Sequence, residues 1–149
     1  MGRETIFIDG KPEAPLLYNL TGPAEFEPWR PEAQETMGAF ADEGYRLFGL
    51  LTWMQKIWHP DGVDVEHVKR QIRAVQQIRP DARVLLRIAV WAPDWWIDAH
   101  PDERISWTLR AGTQIPEEVR QNPDEWKTPS YASEVWRREA GEQLRKLLK

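Results

Sequence analysis

At 149 residues the chain is long enough for one domain with a core of its own. Its net charge of −4, with no Lys/Arg cluster, argues against a nucleic-acid partner, and the absence of cysteine excludes disulfides, thiolate catalysis and cysteine metal sites. No apolar run approaches membrane length, and the start MGRETIFIDG lacks the apolar stretch of a signal peptide, so a soluble chain with no membrane partner is expected, cytoplasmic by default.

Residues 5–8 alternate weakly and meet Asp9-Gly10, a dipeptide that accepts positive φ at both positions and predicts a hairpin turn. Residues 15–20 read as the next short strand. Pro31 suits the first position of a helix over 31–43, since its missing N–H is no loss there. Gly44 can take the positive φ that stops it. Residues 45–52, YRLFGLLT, predict a strand, and a loop with Pro60, Asp61 and Gly62 follows. Asp64 can cap a helix whose apolar positions Val65, Val68, Ile72, Val75 and Ile78 form one stripe, and Pro80 ends it. Residues 83–90 predict another strand. A long irregular loop over about 91–129 has room for one short hairpin around 104–109. Ser130 or Ser133 then caps a last helix carrying Val135, Trp136, Leu144, Leu147 and Leu148.

The order is a hairpin followed by three strand–helix units. That alternation predicts an α/β fold with a parallel sheet and helices packed on it. Right-handed crossovers would set the three strands side by side. No internal repeat, low-complexity segment or linker divides the chain, so 1–149 is read as one domain.

Side chains alternate along a strand. Val84, Leu86, Ile88 and Val90 form an aliphatic series suited to a helix-packed face, while Leu85, Arg87, Ala89 and then Trp91 share the other. In a (β/α) barrel that second face would be the interior, and its C-terminal rim is where active sites sit. A buried guanidinium there needs a carboxylate on another strand or loop. Arg87 is therefore either one half of a structural ion pair or the holder of a catalytic carboxylate.

Nine tryptophans are the compositional outlier. Trp53, Trp58, Trp91, Trp95 and Trp96 all follow the ends of strand-like runs. An indole face packs well on the C–H face of a sugar ring, and Asp94, Asp98 and His100 could serve the ring's hydroxyls. Trp95 and Trp96 could instead plug the sheet end. Trp91 is the better ligand-side candidate, because it continues the Arg87 series. Asn19, Trp53 and Gln55 stand at the ends of earlier strands and could reach the same rim. The histidines at 59, 67 and 100 show no metal-ligand spacing, and neither a metal nor a cofactor is expected.

The stretch RIAVWAPDWWIDAHPDE at 87–103, RAG at 110–112 and PSYASEVWRREAGEQLRKLL at 129–148 together resemble clan A glycoside hydrolases. The likeness is greatest to family-42-type β-galactosidases. Those proteins follow their third strand with a Pro-Xaa-Trp-Leu loop ending in His-Pro-Glu, a glycine-centred turn and a Ser-Pro-Xaa-Tyr-Arg start to the third helix. Here Pro93-Asp94-Trp95-Trp96, His100-Pro101-Asp102-Glu103 and Ser133-Glu134-Val135-Trp136-Arg137 stand in those places. FIDGKPEAPLLYNLTG at 7–22 looks like their N-terminal hairpin and first strand.

The resemblance implies part of a (β/α)8 TIM barrel, the N-terminal hairpin plus the first three βα units of a fold that takes about 250 residues. It implies a fragment of a retaining glycoside hydrolase, in which Arg87, Trp91, Asp94, Trp95, Trp53 and Asn19 form part of a sugar subsite. The clan's two catalytic glutamates follow strands four and seven, the first in an Asn-Glu pair. No such pair occurs here, so both are expected outside this chain, which alone is expected to be inactive. The remaining barrel or a second copy would then be a partner beside the carbohydrate. The alternative is a non-catalytic carbohydrate-binding or scaffold protein that closes its sheet by self-association.

Overall fold

The structure, a computed structural model, describes residues 5–13, 16–105 and 128–149. In chain order the elements are β1 (Ile6–Ile8), β2 (Lys11–Glu13), β3 (Leu17–Asn19), α1 (Pro23–Phe26), α2 (Pro31–Asp42), β4 (Leu47–Trp53), α3 (Met54–Ile57), β5 (Trp58–His59), β6 (Gly62–Val63), α4 (Val65–Ile78), β7 (Arg83–Ala89), α5 (Asp94–Ala99), a 3-10 turn (Pro101–Glu103) and α6 (Glu134–Leu147). They pack as two units. The first takes the chain up to Thr52 together with Glu66–Ile88, and the second takes Trp53–Val65 together with Ala89–Lys149.

The first unit opens with the expected hairpin. Asp9 at φ 51° and Gly10 at φ 76° make the two-residue turn, and Ile8 pairs with Lys11 beside it. Lys11–Glu13 is the second strand of that hairpin. The predicted strand over 15–20 is β3, and it belongs to a three-stranded parallel sheet in the order β3-β4-β7. Tyr18 lies beside Phe48 and Asn19 beside Gly49. Pro31 stands in the first turn of α2. Gly44, at φ 92°, closes that helix by donating to Ala41 O at 3.0 Å, and Tyr45 N donates to Phe40 O at 3.0 Å. This is the Schellman arrangement, and its hydrophobic contact is the edge-on Phe40–Tyr45 ring pair.

Burial alternates along β7. Val84 and Leu86 pack on a core of Leu20, Ala33, Met37, Phe48, Leu50, Val75 and Ala82, while Leu85 and Arg87 are exposed on the other side. Arg87 is therefore partly exposed in this three-stranded sheet, not enclosed as it would be in a complete barrel interior. One face of the sheet carries α2 and α4, and the strands here are too few to enclose the other. Among the described residues the sheet has three strands and does not close into a barrel.

At the α4–β7 corner, Arg79 Nε donates to Asp81 at 2.9 Å and Arg46 Nε lies 3.0 Å from the same carboxylate. The hydrogen bond from Arg79, with the positive charges around it, holds the Asp81 carboxyl below the ordinary aspartate value of 3.8. A lowered folded pKa contributes stability that is present above the unfolded value and is lost as pH falls through the folded one. An NMR acid titration should therefore place the Asp81 midpoint below 3.8, and Arg79→Gln should move it up. An unmoved midpoint in that variant would reject Arg79 as the cause.

The second unit is built on tryptophan. Met54, Trp58, Ala92, Trp96, Ile97, Trp136 and Ala140 form its core. The Trp58 and Trp136 rings lie 5.8 Å apart at 29°, and Trp96 meets Trp136 edge-on at 4.8 Å. Two stretches read as loop are ordered. Residues 54–63 form α3 and the small β5–β6 hairpin, and 94–103 form α5 and the 3-10 turn. Ser133 caps α6, its Oγ accepting the Trp136 N–H at 2.9 Å. The short hairpin expected around 104–109 lies largely outside the described residues, as does the RAG turn at 110–112. Arg104 itself forms a bridge to Pro129.

Candidate functional site

The six residues assigned to a sugar subsite divide between the two units. Asn19 and Arg87 belong to the first, and Trp53, Trp91, Asp94 and Trp95 to the second.

In the first unit Arg87 does meet a carboxylate. Its Nη2 lies 3.2 Å from Glu25 Oε2 on α1, with the arginine side chain 43 % and the glutamate 13 % exposed. Solvent at the arginine weakens such a pair, so it contributes little to stability. It does fix the direction of an otherwise flexible guanidinium. Asn19 is exposed and lies over Gly49 on the neighbouring strand, where a Cβ would overlap the asparagine side chain. The bare backbone at Gly49 is what lets Asn19 lie there.

Beneath this pair lies a residue that the sequence reading passed over. Gln71 of α4 is fully buried. Its Nε2 faces the carbonyls of Glu25 at 3.2 Å, Phe26 at 3.0 Å and Leu51 at 3.1 Å. Its Oε1 accepts the hydroxyl of buried Thr52. The signal was available: position 71 falls between Val68 and Val75 at helical spacing, on the buried stripe.

In the second unit the indoles sort by environment. Trp96 has no exposed surface, donates from Nε1 to Glu139 Oε2 at 2.7 Å and stacks on His100 at 4.3 Å. Trp95 is half-buried, with its N–H donated to Trp58 O at 3.1 Å. Trp91 is 56 % exposed. Trp53 is half-buried, with Lys56 Nζ 6.0 Å from its ring centroid. Asp94, exposed in the first turn of α5, lines an open hollow of about 260 Å3 with Gln55 and Lys56. A second hollow, of about 290 Å3, is lined by His59, Asp61, Gly62, Val63 and Asp64 around the β5–β6 turn. Among the described residues no group of three or more His, Asp or Glu side chains could hold a metal ion, and no helix is long and apolar enough to cross a membrane.

No family model matches the chain, and no curated protein or solved structure matches it.

Proposed function

We propose that the chain is part of a (β/α)8 barrel of glycoside hydrolase type and contributes sugar-binding groups, with the catalytic glutamates supplied by residues outside it. The observation that carries this reading is the exposed indole of Trp91 in a unit that buries Trp58, Trp96 and Trp136. A large flat apolar side chain left in water is suited to the C–H face of a sugar ring. Asp94 and Gln55 supply the acceptors and donors that sugar hydroxyls need. The parallel strands in sequence order, with Arg87 on the face opposite Val84 and Leu86, are compatible with the barrel.

Titration of methyl β-galactoside and a panel of other neutral glycosides, followed by tryptophan fluorescence, tests it. A saturable change is expected with at least one sugar, and Trp91→Ala should weaken binding about tenfold while changing stability by no more than about 0.5 kcal/mol. No aryl glycoside should be hydrolysed. A fluorescence signal that stays flat across the panel would sink the reading. Turnover abolished by mutating an acid within 94–103 would show instead that the chain carries its own catalytic pair.

A further inference from the structure

We infer that the hollow lined by Gln55, Lys56 and Asp94 is a subsite for an acidic sugar, a hexuronate, whose carboxylate is taken by Lys56. The inference rests on the sugar-binding reading and adds the charge of the ligand to it.

Lys56 and Asp94 carry opposite charges and line the same hollow. Among the described residues neither makes an ion pair; the aromatic neighbour of Lys56 is the Trp53 ring, 6.0 Å from its Nζ. Both charges therefore remain available to a third party. Gln55 and Lys56 stand on the single-turn helix α3, and Asp94 opens α5, so two short helices of the second unit hold the three side chains.

The three side chains ask for different things. An ammonium only donates hydrogen bonds, a carboxylate only accepts them, and a primary amide does both. A neutral sugar suits Asp94 and Gln55 but gives Lys56 only a neutral acceptor. A divalent cation would be repelled by Lys56, and a phosphate dianion by Asp94. A hexuronate carries a single negative charge at C6 and donor hydroxyls elsewhere on its ring, so it can satisfy all three groups at once. At about 260 Å3 the hollow has room for one sugar ring rather than several. The net charge of −4 would not draw in an anion from a distance, so discrimination must come from contact with Lys56.

The test uses two matched pairs of probes, the methyl β-galacturonide with the methyl β-galactoside and the methyl β-glucuronide with the methyl β-glucoside. Calorimetric titration of the full chain should find one uronide bound about tenfold more tightly than its neutral counterpart, as expected for one charge-assisted hydrogen bond. Lys56→Met should erase that preference, leaving the neutral sugar unaffected, and added salt should shrink it in the unmodified chain. Asp94→Asn should weaken both members of the pair. Both positions are exposed, and far-UV circular dichroism verifies that the variants fold. If a neutral sugar binds as well as its uronide, or the preference survives Lys56→Met, the acidic subsite is overturned while the sugar-binding reading stands. If no probe binds, both fall.

Discussion

Replacing Trp96 by alanine should cost the second unit about 4 kcal/mol of stability, the largest effect expected of any tryptophan described here. The indole has no exposed surface and stands among Trp136, His100 and Ile97 at the centre of its core. Truncation removes the transfer free energy of the ring. It also leaves a cavity that neighbouring rings, held by their own stacking, cannot fill. Glu139 would lose the Nε1–H donor 2.7 Å away. That carboxylate keeps 28 % of its side chain in solvent, so water can replace the bond and the loss is chiefly one of packing. Trp96→Phe should therefore recover more than half of the effect. Chemical denaturation followed by near-UV circular dichroism measures both variants. An alanine variant as stable as the parent would contradict the burial on which the assignment of Trp96 to the core rests.

The contrast between Trp95 and Trp96 marks where sequence reading reached its limit. Both stand in one Pro-Asp-Trp-Trp stretch, and an irregular loop gives no reason to separate them. As part of a helix over Asp94–Ala99 they point about 100° apart, so one enters the core and the other lies half-buried against Trp58 O. Six residues are too few to display a helical period, which is why α5 was invisible. The four-residue α3 and the two-residue strands β5 and β6 escaped for the same reason. What was legible had local chemistry behind it: the Asp9-Gly10 turn, Pro31 and Gly44 at the two ends of α2, and the two-residue period of β7. Arg87 shows a mixed result. Its face and its need for a carboxylate followed from alternation and charge, but Glu25 as partner depended on α1, a single turn whose position no pattern announced. The lining of the Gln55–Lys56–Asp94 hollow depends in the same way on two short helices, so it too could be found only in three dimensions.

Gln71→Ala is expected to destabilise the first unit by about 3 kcal/mol, although it deletes a polar side chain from a helix, where alanine has the higher propensity. Gln71 is buried with both ends engaged. Its amide nitrogen faces the carbonyls of Glu25, Phe26 and Leu51, and its oxygen accepts from Thr52. Removal leaves a buried hydroxyl without its acceptor and three carbonyls without their shared donor. Each orphaned group costs about 1–3 kcal/mol, less where water can enter the vacated space. Gln71→Met separates volume from hydrogen bonding, because it fills the site without supplying a donor. It should lose nearly as much as alanine if hydrogen bonds dominate, and much less if packing does. A double-mutant cycle isolates the link to Thr52: Thr52→Val should cost less in the Gln71→Met background than in the parent, because the hydroxyl has already lost its acceptor. The same knot holds the two α1 carbonyls on either side of the Glu25 and Phe26 junction, and Glu25 in turn faces Arg87. Loosening it should therefore free α1, and amide exchange over 24–27 should rise in Gln71→Met before global unfolding does. Additive costs in the cycle, with exchange unchanged over 24–27, would reduce Gln71 to a space-filling residue and remove the proposed support beneath the Arg87–Glu25 pair.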